Sequence, residues 1–162
     1  MTVKQKKRSK KRDLMIPLVI IAAVVLIVAI ALPIARPIFQ KTRFEKFQMD
    51  LTESINYSKD NGNIIIEKDG RMYSLHPDTA SWLYYMLANI GMGTPVSESD
   101  EPECEIRLTF PDGAEMRLGE KEIERGPRKG RMGIFVYFMN ASSEEYRYCS
   151  DVTTLNKFRE AL

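Results

Sequence analysis

Residues 63–75, NIIIEKDGRMYSL, decide the fold class. Ile64-Ile65-Ile66 and Met72-Tyr73 are β-forming runs on either side of Lys68-Asp69-Gly70-Arg71. Asp-Gly between two such runs is the strongest short-range signal for a two-residue hairpin, because both central positions must take a positive φ. A similar pattern returns at residues 104–118, CEIRLTFPDGAEMRL: Ile106, Leu108 and Phe110 alternate before Asp112-Gly113, and Met116 and Leu118 follow. Aligned on Asp-Gly, the two stretches read as two copies of one hairpin. Lys121 to Arg125 reads as a further strand. Ile134-Phe135-Val136-Tyr137-Phe138 is a continuous apolar run that suits a central strand buried on both faces. Hairpins in succession, without βαβ alternation, predict an antiparallel sheet with helices on one face, the α+β class.

The helices are read from a period of 3.6. Between Phe39 and Tyr57, Phe44, Phe47, Leu51 and Ile55 share one face, while Lys41, Glu45, Lys46, Asp50 and Glu53 lie off it. This stripe is expected to pack on the domain; a membrane-lying helix or a short dimerising coil are the other readings. Ser58 to Asn63 is turn chemistry and should end the helix. His76-Pro77-Asp78 opens a helix with a stripe of Trp82, Leu83, Met86, Leu87 and Ile90. Thr94 to Glu103 reads as an acidic linker. Ser142 and Glu145 have capping-box spacing, predicting a last helix with Cys149, Val152, Leu155 and Phe158 on its buried stripe.

Upstream of all this runs Leu14 to Ala35, LMIPLVIIAAVVLIVAIALPIA, without a charged side chain. At helical rise it would extend about 33 Å, enough to cross a hydrocarbon core of about 30 Å. It is longer than the apolar core of a cleaved signal, and Ala29-Ile30-Ala31 runs straight into Leu32-Pro33, so an uncleaved anchor is expected. Pro33 and Pro37 should kink or stop the helix at its exit. The predicted plan is therefore a basic tail (1–13), a transmembrane helix (14–35), a juxtamembrane amphipathic helix and turn (36–61), and a small α+β domain (62–162).

The formal charge of +2 conceals an asymmetry. The tail carries seven cations against one acid, whereas residues 36–162 carry 17 Lys+Arg and 21 Asp+Glu. A cationic flank next to an apolar span is a topology signal before it is a nucleic-acid patch. It places the N-terminus in the cytoplasm and the domain outside, with no nucleic-acid partner expected. The tail should also lie on an anionic inner leaflet.

No catalytic, cofactor or metal constellation is apparent. Cys104 lies between Glu103 and Glu105, which disfavour a thiolate; Cys149 falls on an apolar stripe; and His76, the sole histidine, belongs to a turn. No serine sits in a Gly-x-Ser-x-Gly elbow. The acidic run Glu98, Asp100, Glu101, Glu103, Glu105 lacks calcium-loop spacing. Outside the cell Cys104 and Cys149 could form a disulfide. The triplets Asn56-Tyr57-Ser58 and Asn140-Ala141-Ser142 fit the glycosylation pattern. The exposed feature with most chemistry is the basic turn from Arg125 to Arg131, where Arg125, Arg128, Lys129 and Arg131 could hold a phosphate or carboxylate.

These readings predict a membrane-anchored, non-catalytic extracytoplasmic binding or protein-interaction module. Besides the bilayer, its partner would be another envelope protein or an anionic envelope polymer. The alternatives are an envelope enzyme or enzyme inhibitor with an unplaced carboxylate site, and a structural spacer that dimerises through the Phe39–Tyr57 helix.

Overall fold

The structure is a computed structural model, and it describes residues 3–76, 85, 90, 91, 93–124, 127–150 and 155–161. Helix α1 (Val3–Asn61) leads into the strands β1 (Ile64–Lys68), β2 (Arg71–Leu75) and β3 (Thr94–Pro95). After a single 3₁₀ turn at Glu98–Asp100 come β4 (Cys104–Thr109), β5 (Glu115–Glu122), β6 (Met132–Met139), β7 (Glu145–Ser150) and helix α2 (Leu155–Ala161). Strands pair antiparallel in one seven-stranded sheet of order β2-β1-β4-β5-β6-β7-β3. The α+β class is as expected. The chain divides into two compact units, Met1–Lys41 and Thr42–Leu162.

Both Asp-Gly hairpins form, by different turns. Lys68 pairs with Arg71, so Asp69 and Gly70 alone make the first turn, at φ +54° and +69°. The second is wider: Thr109 pairs with Glu115, Gly113 N donates to Phe110 O at 3.0 Å, and Phe110 N donates to Ala114 O at 2.9 Å. Pro111 at the second position of a turn favours that wider geometry. The first strands of the two hairpins, β1 and β4, pair with each other.

The amphipathic stripe lands where expected. Phe44, Phe47, Leu51 and Ile55 of α1 join Ile64, Ile66, Ile106, Leu108, Met116, Leu118, Ile134, Val136, Phe138, Tyr146 and Tyr148 in one core. Strand alternation explains the set: Ile66, Leu108, Met116, Phe138 and Tyr146 stand in one row across five strands, and Ile106, Leu118, Val136 and Tyr148 in another. Strand β6 is buried on both faces, as its apolar run requires. Leu155 and Phe158 of α2 reach the same core. The helix is held at its end by Arg159, which binds Glu105 and Glu120, and by Lys68 Nζ, which donates to Arg159 O at 2.8 Å. A cation at the last carbonyls of a helix is favoured by the backbone dipole.

Several expectations need correction. Residues 145–150 are a strand, and among the described residues after them 155–161 are helical. The apparent capping box is a hairpin turn: Asn140 Oδ1 accepts from Ser142 N at 3.0 Å and Glu144 N at 2.8 Å, and Ser143 takes φ +63°. The last helical turn of α1 extends past Ser58 to Asn61, and the chain turns at Gly62. Residues 121–122 continue β5 instead of starting a strand of their own. The supposed linker contributes β3, which pairs Thr94 with Cys149 and Pro95 with Tyr148. The helix expected to begin at Pro77 lies outside the described residues, except for Tyr85 and the buried Ile90.

The single transmembrane helix expected over 14–35 is not supported as one span. Among the described residues no single helix is long and apolar enough to cross a membrane. Val24–Pro33 and Ala35–Asn61 meet that test of length and composition only together, across a bend of 42°. Pro37 cannot donate to the carbonyl of Pro33 and its ring crowds that carbonyl, so a bend between these prolines has a local cause.

Candidate functional site

Among the described residues of the sheet unit, two groups of cations stand out, a row of arginines on the sheet and the basic turn between β5 and β6. The first lies on the sheet face opposite α1. Because Arg107, Arg117 and Arg147 alternate with core residues, all three must point away from the core. The register aligns Glu67, Arg107, Arg117, Tyr137 and Arg147 in one row. The Arg117 guanidinium lies 3.8 Å from the Tyr137 ring centroid and that of Arg147 lies 5.0 Å from it. Glu101, from beside the 3₁₀ turn, bridges the two arginines at 2.9 and 3.1 Å. Glu145 takes Arg147 Nη1 at 2.8 Å and the Tyr137 hydroxyl at 3.1 Å, and Glu115 takes Arg107 at 2.5 Å.

Three carboxylates therefore meet three guanidiniums. Arg147 holds the Glu145 carboxyl below the usual carboxylate range, with the Tyr137 hydroxyl acting in the same direction. A charge set satisfied from within has little attraction left for a ligand, so this row is a fastening between the 98–103 segment and the sheet. The periodicity of the arginines was a signal for it that charge counting alone does not extract.

A second fastening joins α1 to the β6–β7 turn. Asp50 Oδ2 accepts from Asn140 Nδ2 and from the Tyr146 hydroxyl, each at 2.7 Å, while Lys46 pairs with Glu144. Asn140 is thus spent on the fold, and Ser58 of the other glycosylation triplet is buried, its hydroxyl donating to Ser54 O. Burial, reinforced by Asp50, pushes the Tyr146 phenol up; burial also raises Tyr148 and Tyr137, and pushes the Cys104 thiol up to about 11. The unfolded chain then releases these protons at lower pH than the folded one, so stability is lost as pH rises. The melting temperature is expected to fall between pH 9 and 11, and Tyr146→Phe with Cys104→Ser should flatten that fall. A thermal denaturation series by circular dichroism checks it.

The second constellation is the turn between β5 and β6. It is closed by Ile123 N donating to Arg131 O, Gly130 N to Ile123 O (both 2.9 Å) and Arg131 N to Arg128 O at 3.1 Å. Pro127 through Met132 are all exposed. Arg128, Lys129 and Arg131 thus project from one hairpin end, and Arg125 of the same cluster lies outside the described residues. Of the nearby acids, Glu124 is engaged by Lys121 at 3.3 Å, which leaves Glu122 beside the turn.

The remaining candidates fare differently. Cys104 and Cys149 are free thiols and are not brought together. The register runs Cys104–Gly119–Phe135–Cys149, so two strands separate them, about 14 Å at the usual strand spacing and far beyond disulfide reach. In the acidic run Glu101 is bound to arginines and Glu105 to Arg159, and among the described residues no His/Cys/Asp/Glu group is arranged to hold a metal. A shallow groove on the outer side of α1 is lined by Glu45, Gln48, Met49, Thr52 and Glu53. All five belong to one helix, so they cannot face each other across a substrate. The apolar stripe that could have dimerised is inside the core.

No protein-family model, curated protein or solved structure matches this chain.

Proposed function

We propose that this is a single-pass membrane protein that binds and does not catalyse. Leu14–Ala35 anchors it, residues 1–13 stay in the cytoplasm, and the α+β domain meets an anionic envelope component outside. The anchor reading rests on Ile21, Val24, Val25, Leu26, Ile27, Val28, Ile30 and Leu32, which are all exposed. A helix apolar on every side needs an apolar surrounding.

The observation that carries the binding reading is the concentration of Arg128, Lys129 and Arg131 on one exposed turn. Guanidinium and ammonium groups on a short, hydrogen-bonded hairpin end are pre-oriented donors for phosphate or carboxylate. The test uses the full chain in nanodiscs of neutral lipid, titrated with inorganic polyphosphate. Because the basic tail also attracts polyanions, the readout is the difference made by Arg128→Gln/Lys129→Gln/Arg131→Gln. A loss of affinity of about tenfold is expected at low salt. Equal affinities would refute the binding role of the turn.

A further inference from the structure

An aspartate or asparagine precedes glycine at Asn61-Gly62, Asp69-Gly70 and Asp112-Gly113. At such a pair the glycine nitrogen can attack the side-chain carbonyl carbon, because the following residue has no side chain to obstruct it. The fold shelters two of these sites. Asn61 Nδ2 donates to Tyr57 O at 2.9 Å, while Gly62 N donates to Ser58 O at 3.3 Å. Asp112 Oδ1 accepts from Ala114 N at 2.9 Å, and Gly113 N donates to Phe110 O at 3.0 Å. The first hairpin has neither kind of hold. A turn of two residues closes through the flanking Lys68 and Arg71, so its geometry gives the Gly70 nitrogen no acceptor. Asp69 makes no hydrogen bond or ion pair among the described residues. Both turn residues are exposed, and the space beside Gly70 is open.

From this contrast we propose that Asp69 is a self-modification site, at which the folded protein converts aspartate to isoaspartate. The Gly70 nitrogen bonds to Cγ of the Asp69 carboxyl in its acid form. The hydrogen of that nitrogen leaves with the carboxyl hydroxyl as water, and a cyclic succinimide closes. Water then opens the ring. Where it breaks the bond between the Asp69 main-chain carbonyl carbon and the Gly70 nitrogen, the backbone continues through Cβ and Cγ. The former main-chain carbonyl becomes a free carboxylate. One water is lost and one regained, so no oxidant, reductant or other reactant is consumed. The product adds a methylene to the backbone of a turn that closes over two residues. Lys68 and Arg71 then cannot stay opposite each other, and the β1–β2 pairing opens from its tip.

The full chain in mild detergent is aged for several weeks at physiological temperature and pH, beside a sample unfolded in guanidinium chloride. Digestion after glutamate places the sites on peptides 54–67, 68–98 and 106–115, and electron-transfer fragmentation reads isoaspartate in each. A hydrogen bond that must break first slows the attack by about fivefold, so the two bonds at Asp112 and Gly113 give an expected ratio of about twentyfold in favour of Asp69. In the unfolded sample the two rates should converge. Equal rates in the folded chain, or no isoaspartate at Asp69, overturn the proposal. A preference for Asp69 that survives unfolding overturns it too, because local sequence and not the turn would then be the cause. Asp69→Asn supplies a second measurement, since asparagine suits the same turn. In the folded variant, ammonia loss at position 69 should outpace that at Asn61, and a slower or equal rate there counts against the site.

Discussion

Replacing Phe47 by alanine is expected to remove about 3–5 kcal/mol of unfolding free energy, a large part of the stability a unit of this size possesses. Phe47 is fully buried, and its ring centroid lies 5.4 Å from Tyr148, 5.6 Å from Phe44, 5.7 Å from Tyr146 and 5.8 Å from Phe138. Four aromatic neighbours anchored on a helix and on two paired strands have little freedom to collapse into the space left, so the cavity term adds to the lost transfer energy. The aromatic pairs themselves add some further stabilisation beyond area. Urea denaturation of the full chain in mild detergent, followed by near-ultraviolet circular dichroism, measures the change. Tyr57→Ala on the same helix is the control: Tyr57 is 47% exposed, and its loss should stay within about 0.5 kcal/mol. A small effect at Phe47 would mean that α1 does not close the sheet's core.

That helix illustrates which parts of the fold are local. Phe44, Phe47, Leu51 and Ile55 declare their face by spacing alone, and Asp69-Gly70 declares its turn by φ alone; neither needs knowledge of a distant partner. Residues 145–150 are the opposite case. Cys149, Val152, Leu155 and Phe158 have helical spacing, and Ser142-x-x-Glu145 resembles a helix start. Tyr146, Tyr148 and Ser150 equally alternate with Glu145, Arg147 and Cys149. Two periods coexist, and the choice falls to β6, which offers an unpaired edge in register from Ile134 opposite Ser150 to Met139 opposite Glu145. A hydrogen-bond ladder with a buried neighbour outweighs a weak helical stripe, and that neighbour lies outside any local window.

The site was legible to a different extent. The basic turn is a composition signal and needs no fold to be seen. What composition could not reveal is that the other arginines are occupied, since Arg117 and Arg147 acquire Glu101 only when the 98–103 segment crosses the sheet. That occupancy of the sheet arginines is a property of the tertiary structure.

Gly133→Ala is expected to cost about 3 kcal/mol, although it adds a single methyl group to a strand. A Cβ there would stand 2.5 Å from Ser150 O, 3.1 Å from Ile123 Cγ1 and 3.2 Å from Cys149 Sγ. The oxygen belongs to the backbone of β7, so one strand of the β6–β7 pair must move, and Ile123 blocks the other direction. Gly70→Ala separates this steric cause from backbone strain. Gly70 has φ +69° but open space around it, so its replacement should cost only about 1 kcal/mol. Urea midpoints of the two variants supply the comparison. A second reading follows the packing itself: displacement at Gly133 uncovers the buried Cys149 thiol, so its reaction with a thiol reagent should accelerate in Gly133→Ala and stay at the wild-type rate in Gly70→Ala. Since Arg131 and Met132 immediately precede Gly133, the first variant should also weaken the turn's hold on polyphosphate, while the second leaves it unchanged. Equal behaviour of the two glycine variants would show that close approach to β7 does not set the position of the basic turn.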